Sequence, residues 1–294
     1  MLIPNEILKK VRRIHITTSY LVTDVLAGHY QSVFKGKGLG FDEVKEYHPG
    51  DDIRSIDWNV TARMGHPYVK KYTEERELTI MFLLDLSSSC YFGTVHQLKR
   101  DLAIELCALL SFSAIKNNDR VGFIAFTDRV EMFIPSRKGT SHVLRIIRDA
   151  LYTRPEGQGT DLSLALEFLN KVTTRRTVAF ILSDFFASDF DKALRVASKR
   201  HDLIAITLLD PAELTMPDLG MVKLEDPETG KSFLIDTSDP KSRSRYHQNT
   251  QERIEERKRL FNSIHVDHMD IRTDVPYLPA LIQFFRKREK RYGR

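Results

Sequence analysis

From residue 77 onward, short apolar runs rich in branched side chains alternate with longer stretches whose apolar positions recur every three or four residues. The runs 78–86, 120–126, 130–135, 177–184, 202–210 and 266–272 read as strands, and several are apolar nearly throughout, as expected of strands covered on both faces. Between them, 96–118 carries Leu98, Leu102, Leu106, Leu109 and Leu110 at helical spacing and ends on Asn117, Asn118 and Asp119. The stretches 141–152, 161–172, 189–200 and 277–290 also read as helices. Strands joined by helical crossovers make a parallel sheet. Only three residues separate 120–126 from 130–135, too few for a crossover, so that pair is expected to be antiparallel.

Two regions break the alternation. Within 218–265, the runs 221–226 and 231–236 flank Pro227-Glu228-Thr229-Gly230, a hairpin signature, and 240–265 reads as a long charged helix. The first 76 residues begin with Ile7, Leu8, Val11 and Ile14 on one helical side and pass through the glycine-rich 36-GKGLGF-41. The expected organisation is a small α+β lead-in module over 1–76 and a larger domain over 77–294, with 218–265 as an elaboration. The fold class expected for the larger part is α/β and Rossmann-like: a mostly parallel sheet, one antiparallel edge strand, and helices on both faces.

Composition narrows the function classes. A hydrophobic content of 41% is ordinary for a chain with a real core. The net charge of +5 is a modest basic surplus, read as solvated helix faces, so no nucleic-acid partner is expected. Cys90 and Cys107 lack any metal or disulfide spacing. No run approaches the roughly 18 apolar residues that cross a bilayer, and the start lacks a signal-peptide core, so a cytoplasmic location is expected. The basic segment 7-ILKKVRRIHI-16 fits either peripheral membrane contact or a helix packed on the body, and its shortness favours packing.

The chemistry concentrates at 85-DLSSS-89, where an apolar strand ends. Asp85, Ser87 and Ser89 alternate, so a looping backbone can aim three hard oxygen donors at one point, suited to Mg²⁺ or Mn²⁺. Three donors are too few for an octahedral ion. Thr160 in 157-GQGTDL-162, just before a helix, and Asp184, at the end of 178-VAFILSD-184, are placed at the same end of the sheet. Simple helix capping by the two serines and Asp184 is the bland alternative. A phosphotransfer aspartate is another, although Ser87 stands where that chemistry wants a second carboxylate.

This set resembles the metal-ion-dependent adhesion site of the von Willebrand factor A family: D-x-S-x-S, a distant Thr, a distant Asp. The resemblance implies that Ser87, Ser89 and Thr160 bind the ion directly, with Asp85 and Asp184 acting largely through water. It also implies an open position for an acidic side chain of a partner, and no catalysis. A Mg²⁺-dependent hydrolase remains the alternative, with Asp161 or Asp128 as the general base.

The lead-in segment is similar to the signature of the bacterial domain-of-unknown-function 58 family. The match runs through Gly36, Gly38, Phe41, Tyr47, Gly50, Asp51, Asp52, Arg54, Ile56, Asp57, Trp58, Ala62 and Arg63. Cys90 departs from the methionine the family often has there. Relatives act alongside MoxR-type AAA+ ATPases, so the resemblance implies such a partner in complex assembly, metal insertion or stress response. From the residues themselves, Arg54 and Arg63 are expected to hold Asp51, Asp52 or Asp57 in forked pairs around the only tryptophan. The result is either a charge-knit corner or a docking surface built on the same arginines.

Overall fold

The computed structural model describes residues 5–21, 28, 30, 33, 34, 40–73, 77–187, 189–225 and 230–292. The chain divides into two compact units, one of residues 1–33 with 79–294 and one of 34–78.

The larger unit is built on six strands: β3 (Thr79–Asp85), β4 (Arg120–Phe126), β5 (Val130–Arg137), β6 (Val178–Ser183), β7 (Asp202–Leu209) and β10 (Asp267–Arg272). They lie in the order β10-β7-β6-β3-β4-β5. Every neighbouring pair is parallel except β4 with β5, the edge pair expected to be antiparallel from its short connection. The sheet is therefore mixed α/β in class and mostly parallel.

Both faces are covered because successive side chains alternate across a strand. Met81, Leu83, Ala179, Ile181, Leu203 and Ala205 share one core with residues of α5 (Leu162–Val172), α6 (Asp191–Arg200) and Phe261 of the long α8 (Pro240–Ser263). The alternate positions, such as Phe82 and Phe180, stack with ring centroids 5.3 Å apart. Helices α3 (Lys99–Lys116) and α4 (Thr140–Tyr152) pack on the sheet, and α1 (Asn5–Leu21) lies on both of them. A salt bridge of 2.6 Å from Lys10 to Asp101 fastens α1 to α3. The first helix thus belongs with the sheet and not with a 1–76 module, because its apolar side finds its cover on α3 and α4. It also extends well past the short 7–16 stretch that the pattern outlined.

The elaboration consists of a one-turn helix α7 (Pro211–Leu214), an antiparallel hairpin of β8 (Met221–Glu225) and β9 (Ser232–Asp236), and α8. The Pro227-Glu228-Thr229 turn lies outside the described residues. Helix α8 buries only Ile254, Arg257 and Phe261, in keeping with its charge, and α9 (Leu278–Tyr292) closes the chain.

The smaller unit pairs β1 (Gly40–Glu46) antiparallel with β2 (Tyr68–Thr73), with the short α2 (Trp58–Met64) between them. Gly50, at φ 112°, supplies a turn that other residues rarely adopt. Gly36 and Gly38 lie outside the described residues. No described helix is long and apolar enough to cross a membrane.

Candidate functional site

From β3 the chain builds outward to β4 and β5, then returns to β6 and builds the other way to β7 and β10. The strand order therefore reverses between β3 and β6, and the crossovers leaving those two strands diverge. Asp85 is the last residue of β3, Ser183 the last of β6, and Asp184 follows it. Asp85, Ser87, Ser183 and Asp184 are all fully buried, an uncommon concentration of polar groups.

Hydrogen bonds join most of the expected set. The Ser87 N–H donates to Asp85 Oδ1 at 2.9 Å, bending the chain back at the end of β3. The Ser87 and Ser89 hydroxyls lie 3.0 Å apart. Asp85 Oδ2 accepts from the Ser183 hydroxyl at 2.6 Å, and the same hydroxyl accepts from the Phe185 N–H at 3.0 Å. Asp85 has no ion pair among the described residues; burial first, and the charge of Asp184 second, push its carboxyl up to about 7.

Capping does not account for these groups. Helix α3 starts at Lys99 on an N-cap of Leu98, and α6 on an N-cap of Phe190, neither with a side-chain cap bond. Ser87 opens a short 3₁₀ turn without capping it.

Thr160 is half-buried in the segment that leads into α5. That segment is drawn to the serine loop by the Ser88 N–H, which donates to the Gln158 carbonyl at 3.0 Å. Glu131 braces it from β5, accepting from the Gly157 N–H at 2.8 Å and from the Thr127 hydroxyl at 2.7 Å. Asp161 caps α5 through the Leu164 N–H at 2.9 Å, and Asp128 is half-exposed, 3.4 Å from Arg129.

Three residues join the site that sequence reasoning missed: Ser183, Lys99 and Glu213. The Lys99 ammonium is buried 2.8 Å from Asp184 Oδ2 and 2.5 Å from Glu213 Oε1. Burial works against its charge, but Asp184 and Glu213 outweigh that and hold it above the usual lysine value. Asp184 Oδ1 accepts from the Phe186 N–H at 3.2 Å, and the Asp184 carbonyl accepts from Arg257 Nη1 of α8 at 3.3 Å. Among the described residues no three His, Cys, Asp or Glu side chains converge on a metal position, so any ion here depends on the hydroxyls. Beside Ser89 opens a cleft of about 1090 Å³, lined by Phe92, Phe185, Phe186, Leu219 and Arg253 among others.

In the smaller unit the expected arginine pairs do not form. Asp51 accepts from Lys45 Nζ at 2.7 Å and from the His48 N–H at 3.0 Å. Asp52 accepts from the Arg54 N–H at 3.0 Å, and Asp57 caps α2 through the Asn59 N–H at 3.0 Å and the Val60 N–H at 3.2 Å. For Asp52 and Asp57, nearby backbone donors win because they are reached without ordering a long side chain. Arg54, Arg63 and Trp58 are exposed, with Trp58 69% accessible, so the arginines do not knit these acids together around the tryptophan.

Comparison with known proteins gives a family match over residues 43–256, described as "Protein of unknown function DUF58". The uncharacterized protein Rv1480 of Mycobacterium tuberculosis is 31% identical over 285 residues, covering 95% of this chain and 89% of that protein. The uncharacterized protein YeaD of Bacillus subtilis is 22% identical over 180 residues, covering 61% of this chain and 43% of its own length. Among solved structures, the conserved hypothetical protein BatB of Bacteroides thetaiotaomicron aligns at a TM-score of 0.47 with 18% identity, over 72% of this chain and 99% of that one.

Proposed function

This chain belongs to the DUF58 family of proteins of unknown function, and on that premise we propose that it is a non-catalytic, divalent-metal-dependent protein-interaction module. The larger unit is read as a von Willebrand factor A-type domain, and its strand-end site as a metal-ion-dependent adhesion site. The observation that carries this is Asp85: a fully buried carboxylate at the point where strand order reverses, held by the Ser87 N–H and the Ser183 hydroxyl and without an ion pair among the described residues. A buried carboxylate without an ion pair is costly to keep charged, and a bound cation offsets that cost.

The donors are oxygens only, which suits Mg²⁺ or Mn²⁺ and not a soft metal. The residues fit the ion: Ser87, Ser89 and Thr160 would hold it, with Asp85 and Asp184 acting through water, as the adhesion-site resemblance implies. When bound, the ion supplies a positive centre for an acidic side chain of a partner. The cleft beside Ser89 offers the approach. The family resemblance extends the reading to a MoxR-type AAA+ ATPase as that partner, in assembly, metal insertion or stress response, within the cytoplasm. The commitment of Asp161 to capping α5 counts against its service as the general base of a hydrolase.

The test is a pull-down from the source cells with wild type and Ser87→Ala, in Mg²⁺ and in EDTA. A partner retained only by wild type in Mg²⁺ is the expected result. Retention that ignores both the ion and the substitution overturns the reading.

A further inference from the structure

Lys99 is the first residue of α3, an 18-residue helix, and is completely buried there. Both facts oppose a lysine. The positive end of the helix dipole disfavours a cation, and removing an ammonium from water is expensive. Helix stability and core packing would both be better served by another residue. What holds it is a pair of acids from different elements: Asp184 after β6, at 2.8 Å, and Glu213 on α7, at 2.5 Å.

The local charge balance shows what the lysine does. Asp85, Asp184 and Glu213 are three acids, and Lys99 is the one ammonium among them. Arg257, which also touches the Asp184 carbonyl, shares Asp270 with Lys258, at 3.6 and 3.8 Å. The ammonium is shared by Asp184 and Glu213, and Asp85 has no ion pair among the described residues. The lysine is spent on Asp184, not on Asp85. One of the two strand-end acids therefore has a cation of the protein against it, while the other has none among the described residues.

We propose that Lys99 is a specificity-determining residue of the strand-end site: a fixed counter-charge on Asp184 that weakens its hold on a divalent ion and keeps the ion's charge available to an outside carboxylate. This rests on the metal-site reading above. Without the lysine, Asp184 would bring its full charge to the ion, binding it more tightly and quenching it. Glu213 keeps the ammonium in place, and its own carboxylate is fixed at Oε2 by the Asp210 N–H at 2.9 Å.

The experiment is calorimetric titration of MgCl₂ into the full chain, with circular dichroism to confirm folding. The variants are Lys99→Met, Lys99→Arg, Lys99→Met combined with Glu213→Gln, and Ser87→Ala. Lys99→Met is expected to bind Mg²⁺ at least about tenfold more tightly than wild type, from the loss of one repelling charge near the ion. The double variant, which leaves no unpaired Glu213 to unfold the site, moves the same way, and Lys99→Arg stays near wild type. A merely structural lysine would give weaker or unchanged binding in the folded variants, and that overturns the proposal. If wild type binds Mg²⁺ and Ser87→Ala does not, while the Lys99 variants bind like wild type, this inference fails and the metal reading stands. If wild type itself binds no Mg²⁺, both fall.

Discussion

Two buried hydroxyls that face each other in the β6–β7 ladder should respond oppositely to removal. Ser183 and Thr207 are register partners, and both are fully buried. The Ser183 hydroxyl donates to Asp85 Oδ2 at 2.6 Å and accepts from the Phe185 N–H at 3.0 Å. Ser183→Ala strands a buried carboxylate oxygen and a buried amide. The first was held by a charge-assisted bond of about 1.5–3 kcal/mol and the second leaves an unmet donor of about 1–3 kcal/mol. The two losses share one side chain and do not add fully, so about 3 kcal/mol is expected. Thr207 Oγ1 has no hydrogen-bond partner among the described residues. Thr207→Val keeps the shape and removes a desolvated hydroxyl, so stability should be unchanged or rise by about 1 kcal/mol. Urea unfolding in EDTA measures both. A Ser183→Ala loss below about 0.5 kcal/mol, or a Thr207→Val loss as large as that of Ser183→Ala, would refute the idea that these hydroxyls are set by the site.

Acid should weaken the fold through His201. This ring is almost inaccessible, and burial first, with the charges of Arg200 and Arg176 behind it, lowers its pKa to about 4. The Thr177 N–H donates to Nδ1 at 3.3 Å, which assigns the ring proton to Nε2, facing Asn170 Oδ1 at 3.1 Å. The fold thus favours the neutral ring, a contribution complete above about pH 6.5 and lost as pH falls toward 4. Between about pH 7.5 and about pH 5 wild type should lose about 2 kcal/mol more than His201→Gln in denaturant unfolding, and equal losses would contradict this. Gly157→Ala should disturb the loop that carries Thr160, because a Cβ there would lie 2.0 Å from Asp128 Oδ1 and 2.2 Å from Thr127 Oγ1. A loss of about 1–3 kcal/mol together with weaker Mg²⁺ binding is expected, measured by unfolding and calorimetry.

What could be read from the sequence follows physical range. The strands, the antiparallel edge and the hairpin were legible because apolar periodicity and connection length are local signals. The clustering of Asp85, Ser87 and Ser89 was legible for the same reason, since the three lie within five residues at a strand end. Lys99 was not, because its partners stand 85 and 114 positions away. The available hint was a lysine in the first turn of an apolar helix, where the dipole argues against it. Ser183 was hidden in an apolar strand, 98 residues from the carboxylate it serves. The Arg54 and Arg63 pairings failed for the opposite reason. Composition offered arginines, while the spacing of Asp52 and Asp57 ahead of helical turns already marked them as caps.

The central claim is that a divalent ion is held at the carboxyl ends of β3 and β6. The most direct test is calorimetric titration of Mg²⁺ and Mn²⁺ into wild type, Asp85→Ala and Ser87→Ala. The account predicts one saturable site in the wild type that both substitutions abolish or weaken at least about tenfold. Affinity unchanged in both variants, or no saturable binding to the wild type, would contradict it.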